Sequence, residues 1–277
     1  MIDAHHHVWD LSVRDQEWIT GPEMAPLRRN FGVEDLPAAA SGVTATVLVQ
    51  TITTPEETPE FLALAEAHDL VAAVVGWTDL TAPSVADDLA ALLAAPGGRY
   101  LRGIRHQVQG EADPRWLCRD DVRRGLAAVG RAGLVYELLT LPHQLPAAIE
   151  TVAALPEVAF VLDHCAKPPV ASGELEPWAT PIRELAARPN VTCKLSGLVT
   201  EADWGGWTVR DLRPYADVVL DAFGPARVMF GSDWPVCLLA APYETVLQSA
   251  RELTAHLSAA ERDGVFGEVA ARVYGLT

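Results

Sequence analysis

Val43-Thr-Ala-Thr-Val-Leu-Val-Gln50 is followed by Thr54-Pro55, a charged and apolar stretch from Glu56 to His68, and then Leu70-Val-Ala-Ala-Val-Val-Gly-Trp77. The first run is rich in β-branched residues, and its apolar side chains are continuous rather than alternating. That pattern fits a strand buried on both faces. Thr54 and Pro55 open a helix, with acids in its first turn where the helix dipole favours them. The second run is again a strand. Strand, helix and strand with both strands buried is the unit of a parallel sheet covered by helices.

The same unit repeats in both directions. Upstream, Met1 to Ala4 reads as a short strand ending in His5, His6 and His7, followed by a long loop without a clear period, Leu11 to Asn30. Loops of that length inside a compact domain are usually functional. Downstream, strands are expected at 100–106, 133–139, 158–164, 191–197 and 227–233. Helices are expected at 83–95, 120–132, 144–155, 178–187, 212–223, 243–256 and 258–273. Eight such units in 277 residues predict one α/β domain over 1–277, a closed (β/α)8 barrel of TIM type rather than an open doubly wound sheet. No GxGxxG or GxxxxGK[ST] follows any strand, which removes the main support for a nucleotide-binding sheet.

Composition narrows the function. A formal net charge of −16 repels phosphate backbones, so nucleic acid is not an expected partner, and a strongly anionic substrate needs a local cationic pocket. No apolar run is long and uncharged enough to span a bilayer, and the N-terminus carries histidines where a signal sequence has basic and apolar regions. A soluble, cytoplasmic protein without membrane partners is the expectation. Cys118, Cys165, Cys193 and Cys237 are scattered, without a CxxC pair, and read as free buried thiols. The acidic surface is compatible with a monomer or a homodimer.

In a barrel of this type the active site lies at the C-terminal ends of the strands. Those ends carry His5 and His7, Gln50, Trp77, Arg105 and His106, Glu137, Asp163 and His164, Lys194 and Asp233. On a strand, His5 and His7 share a face and His6 points away, so two imidazoles are available to one metal ion or one substrate. Each residue also has a structural reading. The His run could be the stub of a tag, although a tag does not continue into Val-Trp-Asp. His164 could be a core histidine, Asp233 a helix cap, and Glu137 with Lys194 a buried ion pair. Arg105 and His106 cannot both face inward. His68 and His256 read as surface residues, and His143 is open between surface and site.

Asp3-Ala-His-His-His7, Leu162-Asp-His-Cys-Ala-Lys-Pro168 and Phe230-Gly-Ser-Asp-Trp-Pro235 together resemble the amidohydrolase superfamily, in its amidohydrolase-2 branch. Arg102-Gly-Ile-Arg-His-Gln107, Cys193-Lys-Leu-Ser-Gly197 and Thr200-Glu-Ala-Asp-Trp204 resemble the sugar-lactonase group within it, which includes L-fuconolactonase and L-rhamnonolactonase-like enzymes. The resemblance runs from end to end. It implies that His5, His7, His164 and Asp233 are metal ligands and that Asp233 activates the hydrolytic water with His164 beside it. Members with two metals carry a bridging lysine or glutamate at an earlier strand end. Strand four offers Arg105 and His106 instead, which limits the expectation to one divalent ion, zinc. The family also holds lactonases that use such histidines as hydrogen-bond donors without metal.

The expected reaction is hydrolysis of a sugar lactone to the open acid, with Arg105, His106, Glu137, Lys194 and Trp77 binding the substrate. Trp18, Trp204, Trp207 and Trp234 also lie on pocket-side segments. The alternatives are a lactonase for a pyrone dicarboxylate, which calls for more arginines than these strand ends offer, and a metal-dependent decarboxylase of the same branch.

Overall fold

The computed structural model describes residues 1–38 and 41–276, so positions 39, 40 and 277 of the 1–277 unit lie outside the described residues. Eight parallel strands pair in chain order. They are β1 (Ile2–His6), β2 (Ala45–Val49), β3 (Val71–Gly76), β4 (Leu101–His106), β5 (Val135–Leu138), β6 (Phe160–Leu162), β7 (Val191–Leu195) and β8 (Val228–Phe230). The covering helices are α1 (Glu57–Ala67), α2 (Val85–Ala94), α3 (Asp120–Arg131), α4 (Leu145–Ala154), α5 (Ala179–Ala186), α6 (Val209–Phe223) and α7 (Tyr243–Leu253). The chain finishes in α8 (Ala259–Asp263) and α9 (Val269–Tyr274). This is the expected (β/α)8 barrel.

Closure between β8 and β1 is made just beyond the ends of the strands. His7 N donates to Trp234 O at 2.7 Å and Asp233 N to His5 O at 2.9 Å. The buried Asp3 carboxylate completes the seam by accepting from Ser232 N at 2.8 Å, from His5 N at 3.2 Å and from the Tyr243 hydroxyl at 3.1 Å. A side chain here does the work of a missing backbone acceptor, which satisfies amide groups that have no water to turn to.

Outward side chains such as Leu48, Val74, Ile104, Phe160 and Phe230 pack under the helices. Ala4, Val47, Val49, Ala73, Val75, Val135, Val161 and Met229 fill the inside. The bottom of the barrel is closed by α9, whose Val269, Ala270 and Tyr274 join that inner cluster. The Tyr274 hydroxyl donates to Glu137 from below.

Three expectations about elements need correction. β6 and β8 stop at Leu162 and Phe230, short of His164 and Asp233, because the backbone then turns left-handed at both histidine and aspartate. The final helix, expected to be continuous from 258 to 273, is broken by a π-helical turn over Gly264–Glu268. Glycines at 264 and 267 weaken the helix there, and the wider turn swings Val269 and Tyr274 into the barrel mouth. α6 begins three residues earlier than expected, since Thr208 N donates to Asp211 Oδ2 at 2.7 Å and forms a capping box.

Tyr274→Ala removes both the ring and the hydroxyl that reaches Glu137 from below. The expected loss is roughly 3–5 kcal/mol of unfolding free energy, as for other large aromatic deletions, read from urea denaturation. Tyr274→Phe is expected to cost less, since Lys194 still pairs with Glu137. A loss below 1 kcal/mol in Tyr274→Ala (about the spread of surface substitutions) would show that α9 is not part of the barrel core.

Candidate active site

β1 carries a bulge that builds the centre. Asp3 pairs with Thr46 and His6 with Leu48, so Ala4 and His5 together oppose Val47 alone. Ala4 and His5 therefore both turn inward. His6 faces outward to the Thr46 hydroxyl at 3.0 Å, and His7 comes back over the barrel axis. The His7 Nδ1–H donates to Val49 O at 2.8 Å, which leaves the lone pair of its Nε2 facing His5 Nε2 at 3.1 Å. A carbonyl can only accept, so this tautomer is fixed by chemistry.

His164, just beyond β6, and Asp233, just beyond the neighbouring β8 at the seam with β1, reach the same point. Asp233 Oδ1 lies 3.7 Å from His5 Nε2, 3.5 Å from His7 Nε2 and 3.7 Å from His164 Nε2. His164 is braced by Ser196 Oγ at 2.9 Å from its Nδ1. Both residues have positive φ, 50° and 58°, and His164 opens a run of four such residues ending at Lys167. Non-glycine residues seldom adopt that region, and it collects at functional sites where the surroundings enforce it. Two glycines make room. A Cβ on Gly197, itself at φ 68°, would lie 2.8 Å from the His164 ring, and one on Gly231 would lie 2.7 Å from His5 Cβ.

Beneath the centre lies a layer of buried charge. Lys194 Nζ sits 2.7 Å from Glu137 Oε2, 3.1 Å from Asp163 Oδ1 and 3.0 Å from His5 Nδ1. Arg105 donates through Nη1 to Asp163 Oδ2 at 3.0 Å and through Nε to Gln50 Oε1 at 2.9 Å, and its Nη1 is 3.3 Å from His5 Nε2. Burial alone would raise the Asp163 carboxyl. Lys194, His5 and Arg105 instead hold it well below the usual carboxylate range. Burial likewise works against ionisation of Asp233, and His164, His7 and Lys167 together keep it low. Asp233 is thus an ionised base, and the imidazoles around it are kept neutral by burial, His164 at about 4.

Asp233 Oδ1 within 3.5–3.7 Å of three imidazole nitrogens, two of them 3.1 Å apart, forms a donor set that suits a divalent ion of the zinc type. His7 meets the further requirement that a ligating imidazole gives its other N–H to a fixed acceptor. His5 differs, because a cation faces each of its ring nitrogens, Lys194 Nζ at Nδ1 and Arg105 Nη1 at Nε2.

The sequence profile of the amidohydrolase family matches residues 2–276. The chain belongs to the amidohydrolase family. A relative from Burkholderia multivorans named L-fucono-1,5-lactonase is 44% identical, over 99% of this chain and 96% of its own. Another of that name, from Burkholderia ambifaria, is 42% identical over 86% of this chain and 81% of its own. A crystal structure of a Burkholderia multivorans amidohydrolase with bound zinc superposes with a TM-score of 0.94 at 42% identity, covering 100% of this chain and 99% of that one.

Within the amidohydrolase barrel, the residues expected at the site fall into three groups. His7, His164, Asp233 and Arg105 line a cavity of about 320 Å³ above the strand ends, with His5 directly beneath. Glu137 and Lys194 form the buried ion pair that the sequence left open as an alternative, and they are not in the cavity wall. His106 and Trp77 lie outside the cavity as well. The Trp77 indole donates to His106 Nδ1 at 3.0 Å, His106 Nε2 meets Glu111 at 2.7 Å, and the His106 ring stacks on Trp116. Alternation along β4 turns Arg105 in and His106 out.

Several residues of the site have no role assigned from the sequence, Asp163 among them although it stands at a strand end. Asp163 joins both cations, and Gln107, Gln109, Lys167 and Glu201 line the cavity. The long loop after β1 brings in Trp18 and Met24, held by the Trp9–Phe31 bridge and by Phe31 packing against Trp234.

Buried imidazoles make the fold sensitive to acid. His6 is pushed down to about 3 and His164 to about 4, both by burial, against 6.5 in an unfolded chain. Below pH 6.5 the unfolded state therefore binds protons that the native state refuses, and stability falls as pH falls, by up to about 1.4 kcal/mol per pH unit for each ring. Asp3 and Glu57, raised by burial to about 6 and about 7, act in the other sense; their contribution is complete below about pH 4 and is lost as pH rises. The expected curve declines gently from pH 6.5 to 4.5 and steeply below, and His6→Gln makes the steep limb shallower. Urea titrations at half-unit pH steps check this, and an unchanged limb in His6→Gln would contradict a neutral buried His6.

Proposed function

We propose that this amidohydrolase-family enzyme is a lactonase that hydrolyses a neutral sugar lactone, such as L-fucono-1,5-lactone or the corresponding L-rhamnonolactone, to its open acid, with the whole barrel acting as one catalytic unit. The convergence of three neutral imidazoles on an ionised Asp233 at the floor of a cavity carries this reading. The charged residues lining that cavity are Arg105 and Lys167 against Glu201 and Asp233, two of each sign. A balanced lining favours an uncharged substrate over a pyrone dicarboxylate. The two Burkholderia relatives named L-fucono-1,5-lactonase support the sugar class.

Hydrolysis needs a polarised carbonyl, an activated water and a proton for the leaving oxygen. Asp233 takes one proton from a water placed against the lactone carbonyl carbon. The water oxygen bonds to that carbon, the carbon to ring-oxygen bond breaks, and the Asp233 proton passes to the ring oxygen as it becomes a hydroxyl. Arg105, a guanidinium in the cavity wall, donates to developing negative charge on the carbonyl oxygen, and donors fixed in advance in a dry site are effective there. A zinc ion held by His5, His7, His164 and Asp233 would supply Lewis-acid polarisation of the same carbonyl. Trp18 and Trp204 offer flat apolar walls for the C–H face of a sugar ring.

Asp233→Asn is expected to lower kcat/KM on L-fucono-1,5-lactone by about 10²- to 10⁴-fold, the range for loss of a carboxylate base, with an unchanged circular dichroism spectrum. Near-normal turnover would take Asp233 out of the mechanism. Acid release from a panel of L-fucono-, L-rhamnono-, L-galactono- and D-arabinonolactone and a pyrone dicarboxylate, before and after chelation, is expected to show sugar-lactone hydrolysis that falls on chelation and returns with zinc. Silence on every sugar, with and without zinc, would remove the sugar-lactonase reading and favour a decarboxylase.

A further inference from the structure

A second polar pair faces the cavity from the side opposite Arg105's layer of partners. Lys167 ends the left-handed run that begins at His164, and Glu201 ends a 3₁₀ turn, Leu198–Glu201, that follows β7. Lys167 Nζ stands 3.5 Å from Glu201 Oε1, and each side chain is 25% exposed. The Glu201 carboxylate has no other side-chain partner among the described residues. It keeps most of its acceptor capacity inside a cavity wall, although burial raises its carboxyl and Lys167 only partly opposes that. A carboxylate that lines a cavity with most of its acceptor capacity unspent is placed to receive donors from a bound ligand.

Two neighbouring features point the same way. Gln109 Oε1 is buried without a partner in the same cavity wall, and Gln107 spends its amide N–H on Thr51 O at 2.7 Å, which leaves its own oxygen available. Trp204, anchored by its indole N–H to Thr200 O at 2.8 Å, stands next to Glu201 in the lining. Three oxygen acceptors around an aromatic wall match a ring with an apolar C–H face and several O–H donors. They do not match a carboxylated ring, which brings acceptors and negative charge.

We propose that Glu201 is the specificity-determining residue of this site, accepting hydrogen bonds from adjacent hydroxyls of a polyhydroxylated lactone ring, and that Lys167 is a positioning residue that holds the carboxylate in place. The proposal rests on the lactonase reading and names how that site selects its substrate. A carboxylate with two oxygens spans a vicinal diol, and hydrogen bonds to a charged acceptor are the stronger kind. The ion pair itself contributes little to holding the fold, since it is partly open to solvent.

Binding of the neutral ring analogue 1,5-anhydro-L-fucitol, followed by NMR titration, tests this apart from catalysis. The unaltered protein is expected to bind it at least about 10-fold more tightly than 2-methyltetrahydropyran, which lacks the hydroxyls, and Glu201→Gln to weaken the polyol by about 10- to 100-fold. Lys167→Met is expected to weaken it as well, and Lys167→Arg to restore it. Equal affinity for the polyol and the hydroxyl-free ring, or unchanged polyol affinity in a folded Glu201→Gln, overturns the proposal. Polyol binding that depends on Glu201, in a protein that opens no lactone, keeps the subsite and discards the lactonase reading. Lactone hydrolysis with polyol binding indifferent to Glu201 does the reverse.

Discussion

Lys194 is the buried cation on which the rest of the site depends. Its ammonium is fully enclosed, 2.7 Å from Glu137 Oε2, 3.1 Å from Asp163 Oδ1 and 3.0 Å from His5 Nδ1. An ammonium taken out of water is costly unless its partners are this complete, and removal of one member of such a group leaves an uncompensated charge. Each partner is in turn tied elsewhere: Glu137 to Tyr274 at the barrel floor, Asp163 to Arg105 across the axis, His5 to His7 in the site above. The lysine therefore couples the position of His5 to the packing of α9.

The catalytic face is held in a conformation that the backbone would not choose. His164 to Lys167 and Asp233 all lie in the left-handed region, at roughly 1–2 kcal/mol per residue for L-amino acids. This is the reason that β6 and β8 are short. A strand continued through His164 would alternate its side chains, whereas the turn keeps Asp163 on the charge layer and lifts His164 over it. Gly197 and Gly231 supply the space that this needs, each beside a histidine ring or its Cβ. Strain, glycine and histidine form one device.

Much of this was legible in the sequence because barrels put chemistry at strand ends and because continuous apolar runs mark strands buried on both faces. His5 and His7 could be placed on one face by period, and His164, Asp233 and one of Arg105 and His106 at the same end of the barrel by position. Which of Arg105 and His106 faces inward, and whether Trp77 does, was not legible, since a residue at a strand end can turn either way and only the observed β4 alternation decides. Asp163 could be placed at its strand end but given no role, because it precedes a histidine and alternation makes it an outward neighbour. Lys167 and Glu201 lie on loops, which have no period to read. The break in the last helix depends on the barrel floor, whose residues come from strands spread along the chain from Ala4 to Met229.

The arrangement of Tyr274 has a consequence for the order in which the enzyme comes into being. His5 and His7 belong to β1 and its end, yet the hydroxyl that completes the charge layer under them belongs to α9. The seam that joins β1 to β8 through Asp3 also waits for Ser232. Synthesis of the β1 imidazoles therefore precedes that of both the residues that close the seam and those that close the floor. A chain stopped before α9 carries these histidines over a charge layer that lacks the Tyr274 hydroxyl.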